Sequence, residues 1–118
     1  MGVTIEVSVK APKRLTGKYT FNSFTELCEW IYENFKRPKS LAGSIIAQLS
    51  EHGIVRLATY HYFIEAQSSV TLSYPEHRSI AREAGVLRHK RGRLEAEWDF
   101  KDRERVLKFA RMLDKKVK

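Results

Sequence analysis

Val3, Ile5, Val7 and Val9 alternate with Thr4, Glu6, Ser8 and Lys10. Period two is the mark of a strand with one buried face. Pro12 and Gly17 punctuate residues 11–17 as a loop, and residues 18–21 alternate again with Tyr19 and Phe21 on one side. A β-hairpin is expected here. Ser23 and Glu26 then have the spacing of a capping box, in which side chains satisfy free backbone N–H groups at a helix start. Phe24, Leu27, Cys28, Ile31 and Phe35 follow at helical spacing, and Pro38 ends the helix at about Lys36. Ser40 is the expected cap of a second helix carrying Leu41, Ile45, Leu49 and His52, with Gly53 in the left-handed closing position.

Residues 54–66 are apolar on both faces and rich in β-branched and aromatic side chains. They predict one long strand near the centre of a sheet. Gln67-Ser68-Ser69 reads as a turn, and Val70, Leu72 and Tyr74 as a further strand stopped by Pro75. Residues 76–84 predict a short helix ending at Gly85. Leu94, Ala96, Trp98 and Phe100 alternate with Glu95, Glu97 and Asp99, another strand. Asp102 is the cap of a last helix buried through Val106, Phe109, Ala110, Leu113 and Val117. Residues 21–30 and 100–109 align without gaps as two strand–cap–helix units.

The order is ββααββ(α)βα. It predicts an α+β fold: a single, mostly antiparallel sheet of about five strands with helices packed on one face. Reading residues 18–21 as loop leaves a ferredoxin-like βαββαβ alternative with an extra C-terminal helix. The expected core is Ile5, Val7, Phe21, Leu27, Ile31, Leu49, Leu72, Trp98, Val106, Phe109 and Leu113.

The chain has 118 residues, 42% of them apolar and 31% charged. That is the size and mixture of a single globular domain over residues 1–118. No run reaches the ~18 apolar residues of a membrane helix, and the first residues lack the apolar core of a secretion signal. The single cysteine, Cys28, excludes an internal disulfide and a Cys-Cys zinc clamp. A cytoplasmic protein with no membrane contact is the expectation.

Charge changes the picture most. Twenty-two Lys and Arg face 14 Asp and Glu, a net +8. The densest run is Arg88, Lys90, Arg91 and Arg93, and Lys108, Arg111 and Lys115 line the last helix. These seven are the expected nucleic-acid-binding residues, gripping phosphate with little reading of bases. Lys13 and Arg14 in the first loop, with Lys36, Arg37 and Lys39 between the central helices, form a secondary basic patch. Tyr60 and Tyr62 would share one face of the long strand and could stack bases. Yet Thr4, Glu6, Glu95, Glu97 and Asp99 make the predicted outward sheet face acidic, which favours the loops and the last helix instead.

Catalytic chemistry is sparse. His52, His61, His77 and His89 have no paired metal-ligand spacing, and no phosphate-binding glycine loop or nucleophile elbow is present. No catalytic residue, metal or cofactor is expected. Glu76-His77-Arg78 and His61 with Glu65 are the best acid/base candidates, and Cys28 falls on an apolar helix stripe. Ser79-Ile80-Ala81-Arg82-Glu83-Ala84-Gly85-Val86 resembles the first helix and turn of bacterial helix-turn-helix repressors, in which Ala-x-x-Ala-Gly-Val is common. That resemblance implies a recognition helix after the turn, whereas residues 87–90 leave room for barely one helical turn before Arg91-Gly92. A winged variant would take residues 40–52 as its recognition helix and residues 54–74 as its wing.

Three functional classes follow. The first is a small basic nucleic-acid-binding protein without catalytic activity. The second is a protein-interaction module, such as a phage or mobile-element inhibitor or accessory subunit that binds a host protein or nucleoprotein complex. The third is a small ribonuclease using His61 and His77.

Overall fold

The structure is a computed structural model describing residues 2–89 and 96–118. Strands β1 (Ile5–Ala11) and β2 (Gly17–Phe21) form the expected hairpin, with a 3₁₀ turn over Lys13–Leu15 between them. Helices α1 (Phe24–Asn34) and α2 (Leu41–His52) follow, then strands β3 (Ile54–Ala58) and β4 (Phe63–Ser68). Helix α3 (Tyr74–Ala84), strands β5 (Leu87–His89) and β6 (Ala96–Trp98), and helix α4 (Arg103–Val117) complete the order.

The fold is α+β and its strands pair antiparallel. The described strands divide between a four-stranded sheet, ordered β2-β1-β4-β3, and a two-stranded sheet of β5 and β6, where the sequence pattern predicts a single sheet. Leu94 and Glu95 lie outside the described residues. The larger sheet is two hairpins joined along β1 and β4, with Ile5 opposite Ser68 and Val9 opposite Ile64. Because residues 17–21 are strand, the ferredoxin-like alternative does not describe the chain.

Two expectations in the middle of the chain are corrected. The long strand is broken by a turn at residues 59–62. The Thr59 hydroxyl accepts the N–H groups of His61 (3.2 Å) and Tyr62 (3.0 Å), and the Thr59 N–H donates to the Tyr62 carbonyl at 2.8 Å. A threonine side chain thereby satisfies the turn backbone that a strand neighbour would otherwise satisfy. Residues 69–73 are irregular rather than strand. Ser69 is tied to Thr4, and the Leu72 N–H donates to the Ser50 carbonyl. Pro75 does not stop a strand. It stands in the first turn of α3, where a missing N–H costs nothing, and Ser73 caps that helix toward the Glu76 N–H.

Helices α1 and α2 lie between the large sheet and α4, and α3 packs on α4 and α2. Nine of the eleven expected core residues are buried; Phe21 and Trp98 are half-buried at its margin. Val3, Val9, Phe24, Ile46, Ile64 and Val86 join them. Gly43 marks a close approach: a Cβ there would lie 2.4–2.6 Å from Phe100 Cβ, Cγ and Cδ1. Those atoms sit near the Phe100 backbone and cannot swing aside.

The ends of the helices account for how they are held. Ser23 caps α1 through the Glu26 N–H at 3.0 Å, while the Glu26 carboxylate takes the Asn22 N–H. The N–H groups of Phe24 (2.6 Å) and Thr25 (3.0 Å) donate to the Asp114 carboxylate, as does the Thr25 hydroxyl. Asp102 caps α4 through the N–H groups of Glu104 and Arg105. Ser40 stands at the cap position of α2 but makes no side-chain cap bond, and its φ is 71°. No described helix is long and apolar enough to cross a membrane.

Two outcomes follow from these contacts. Asp114→Ala removes a charged acceptor from two orphan helix donors and should destabilise the fold by about 2 kcal/mol in urea unfolding. Gly43→Ala improves helix propensity yet should still destabilise by about 1–3 kcal/mol, because the added methyl overpacks Phe100. A stabilised Gly43→Ala protein would contradict the observed approach of α2 to Phe100.

Candidate functional site

The basic residues of the last helix share a face because their spacing is helical. Lys108, Arg111 and Lys115 stand at i, i+3 and i+7, and all three are exposed. Opposite them α3 ends at Gly85, whose left-handed conformation (φ 86°) turns the chain into β5. The groove between these elements is lined by Arg82, Arg88, Arg105, Lys108 and Arg111, with Glu83 and Glu104. The Arg105 stem packs over Gly85, with its Cδ 3.3 Å from where a Cβ would lie.

Of the seven expected contact residues, the structure brings Arg88, Lys108 and Arg111 into this one groove and places Lys115 further along the same stripe. Lys90, Arg91 and Arg93 lie outside the described residues. Two of the groove cations are engaged within the protein. Arg88 pairs with Asp99, and Arg105 Nε lies 3.5 Å from Asp102. The Asp99 carboxyl is held below its usual range, first by the Lys101 N–H and then by the Arg88 charge. Arg82, Lys108, Arg111 and Lys115 have no carboxylate partner among the described residues. Arg82 and Arg105 are absent from the sequence expectation, because only the fold sets the end of α3 beside α4.

The secondary patch also becomes one surface. Pro12, Lys13, Arg14, Phe35, Lys36, Arg37, His61 and Tyr62 line a single depression, and Lys39 is exposed in the same α1–α2 link. The pairing of Ala11 with Phe63 explains the meeting, since it puts the loop after β1 beside the turn before β4. The Tyr62 hydroxyl donates to the Arg37 carbonyl at 2.7 Å, and Arg14 donates to the Asn34 carbonyl at 2.6 Å. Tyr60 and Tyr62 therefore sit at a hairpin tip, not on a strand face. Tyr60 is 99% exposed.

The outward face of the large sheet is not acidic, contrary to expectation. It carries Lys10, Lys18 and Arg56 beside Glu6 and Glu65. Glu97 and Asp99 belong to β6 and the segment after it. Ile54, 63% exposed, is an apolar point on that face, and the Phe63 ring, with Lys10 and Arg56 over it, is another.

The helix-turn-helix resemblance ends at its turn, because Leu87–His89 is strand. Helix α2 cannot serve as a winged-motif recognition helix either. Eight of its twelve residues are buried, Leu41 through Gly43 and Ile45 among them.

Of the acid/base candidates, His77 is held in a structural role, whereas His61 is exposed beside the secondary basic patch. His77 is fully buried; its Nε2 is 2.8 Å from Ser50 Oγ, and Arg78 Nη1 is 3.1 Å from its Nδ1. A guanidinium only donates, so Nδ1 is the acceptor and Nε2 carries the proton toward Ser50. The Ser50 hydroxyl in turn donates to the Ile46 carbonyl at 2.7 Å. Arg78 also pairs with Glu51 at 3.1 Å. Glu65 pairs with Lys10. Burial pushes the Cys28 thiol up to about 12, the opposite of a reactive thiolate. Among the described residues no three His, Cys, Asp or Glu side chains cluster to hold a metal.

Comparison with known proteins found no matching family model, no matching curated protein and no matching solved structure.

The buried imidazole has a measurable consequence. Burial, more than any neighbouring charge, lowers the His77 pKa below its ordinary value. The unfolded chain therefore takes up a proton at His77 where the folded chain does not. Stability is full above the unfolded value, about 6.5, and falls as pH drops from there toward the folded value. Thermal unfolding between about pH 7.5 and about pH 5 should show this loss, and His77→Gln should flatten it.

Proposed function

We propose that this chain binds nucleic acid through the phosphate backbone and has no catalytic activity of its own. The observation that carries the reading is the exposed stripe of Lys108, Arg111 and Lys115 on α4. It is joined by Arg82 across the groove, and none of the four is paired with a carboxylate among the described residues. Unpaired cations need break no internal ion pair to meet phosphate, and the net charge of +8 draws a polyanion toward them. Arg88 and Arg105, already paired, orient the groove more than they add free charge. Lys90, Arg91 and Arg93 are phosphate contacts in the same reading, on the ground of their charge alone. A surface that grips the backbone gives affinity with little choice of sequence. A cytoplasmic location, where Cys28 stays reduced, belongs to the same proposal.

A second reading draws on a different observation. The outer face of the four-stranded sheet has no helix over it among the described residues, and it sets the exposed Ile54 among Glu6, Lys18, Arg56 and Glu65. An apolar point ringed by mixed charge suits a host-protein partner, as for a phage or mobile-element inhibitor or accessory subunit.

The test is fluorescence anisotropy with labelled duplex DNA and duplex RNA over a salt series. Changing Lys108, Arg111 and Lys115 together to Gln should weaken duplex binding and leave the unfolding midpoint unchanged. The log–log salt slope should flatten by about 0.9 for each duplex DNA phosphate that the variant no longer neutralises. Absence of wild-type binding to either duplex or to single strands near physiological salt would overturn the reading in favour of a protein partner.

A further inference from the structure

The depression beside the β3–β4 turn differs in kind from the α3–α4 groove. Lys13, Arg14, Lys36 and Arg37 line it, Lys39 follows in the same α1–α2 link, and none of the five has a carboxylate partner among the described residues. Aromatic rings stand among these charges. Trp30 meets Phe35 edge-on at 5.6 Å, Phe35 meets Tyr62 at 5.5 Å, Tyr62 meets His61 at 6.1 Å, and His61 meets Tyr60 at 5.2 Å. This ladder runs from a ring packed on the core to one that is 99% exposed. The turn that carries its outer end is held by the two N–H groups on the Thr59 hydroxyl and by the Tyr62 hydroxyl on Arg37. Tyr60 thus offers an open ring face on a braced support, in ring contact with His61, which lines the basic depression.

From this juxtaposition we infer a second binding site, for single-stranded nucleic acid, in which Tyr60 stacks on an unpaired base while the five cations follow the phosphates. The inference rests on the nucleic-acid reading above and adds a ligand class to it. An unpaired base has a free π-face that every nucleotide can offer, whereas in a duplex those faces are covered by the neighbouring base pairs. A backbone-only surface would not need the exposed ring, and a purely aromatic tip would not need five unpaired cations. Pro12 and Phe35 add apolar surface to the lining of the depression. DNA and RNA share the chemistry of a stacking base and a charged backbone, so both belong in the test.

The experiment measures anisotropy of labelled oligo-dT, oligo-rU and a blunt duplex with the full chain, the Tyr60→Ala and Tyr60→Phe variants, and a Lys36→Gln/Arg37→Gln variant. Tyr60 is exposed, so its variants should fold as wild type, which circular dichroism checks. Tyr60→Ala should lose about tenfold in affinity for at least one single strand and nothing on the duplex, the scale of one base–aromatic stack. Tyr60→Phe should retain binding. The Lys36→Gln/Arg37→Gln variant should flatten the single-strand salt slope by about 0.7 for each phosphate left without its cation. The strand type that shows the Tyr60 effect identifies the ligand as DNA or RNA. A Tyr60→Ala protein that binds both single strands like wild type, or that loses equally on the duplex, overturns the site. Duplex binding that weakens in the α4 triple variant would then leave the phosphate-backbone reading standing alone. A wild type that binds neither single strands nor duplex overturns both.

Discussion

The carboxylate of Asp114 meets the first two N–H groups of a helix that begins 90 residues earlier in the chain. Ser23 can satisfy one orphan donor at the start of α1, and it does so for Glu26. The N–H groups of Phe24 and Thr25 would remain without a partner at a half-buried end, a costly condition for a backbone donor. Asp114 supplies both, and its negative charge also faces the positive end of the helix dipole. The same contact fixes α4 against α1, which seats Phe109 and Leu113 in the core. Two features then follow from the placement of α4. Its outward stripe of Lys108, Arg111 and Lys115 is turned to solvent, and its N-terminal half lies beside the end of α3.

A second buried constraint sets how α2 and α3 cross. Ser50 on α2 and His77 on α3 are both fully buried, and their hydrogen bond is part of a chain running from the Ile46 carbonyl to Arg78 and Glu51. Trp98 and Phe109 pack around the imidazole, and the Arg78 guanidinium lies over both Tyr74 and Trp98. A polar group so enclosed is tolerable only when every donor and acceptor is engaged. That condition ties β6, α2, α3 and α4 to one arrangement. It also explains why the histidine with the most suggestive sequence neighbours, between Glu76 and Arg78, presents no open nitrogen for chemistry.

Much of the fold is legible in the sequence because its signals are local. Period-two alternation marks β1, β2 and β6, and Ser23, Asp102, Gly53 and Gly85 mark helix ends that the structure places at those residues. The failures share a physical cause: the decisive group is ambiguous or distant. The turn at residues 59–62 contains no Gly, Pro, Asn or Asp, and it is made by a threonine hydroxyl, so the apolar run reads as continuous. Pro75 serves equally well to end a strand or to open a helix, and only Ser73 with Glu76 distinguishes the two. Asp114 gives no sign of capping a helix across the molecule. For the candidate surfaces the residue types are legible and their grouping is not. Arg82 and Arg105 enter the groove, and Lys13 meets Arg37, through packing that no short-range pattern encodes.

The distribution of paired and unpaired charge is the final step from fold to function. Several acidic side chains are engaged in structure: Asp102 and Asp114 cap helices, Asp99 holds Arg88, Glu51 holds Arg78, and Glu65 holds Lys10, while Glu83 and Glu104 line the α3–α4 groove. The uncommitted cations are not spread evenly. Many of them collect where backbone elements end or turn, at the 3₁₀ turn, the α1–α2 link, the end of α3 and along α4, while Lys18 and Arg56 stand beside Glu6 and Glu65 on the outer face of the four-stranded sheet. A surface evolved only for solubility would intersperse its charges. Grouping of free cations along a helical stripe and beside aromatic rings is the feature on which the proposed contact with a polyanion rests.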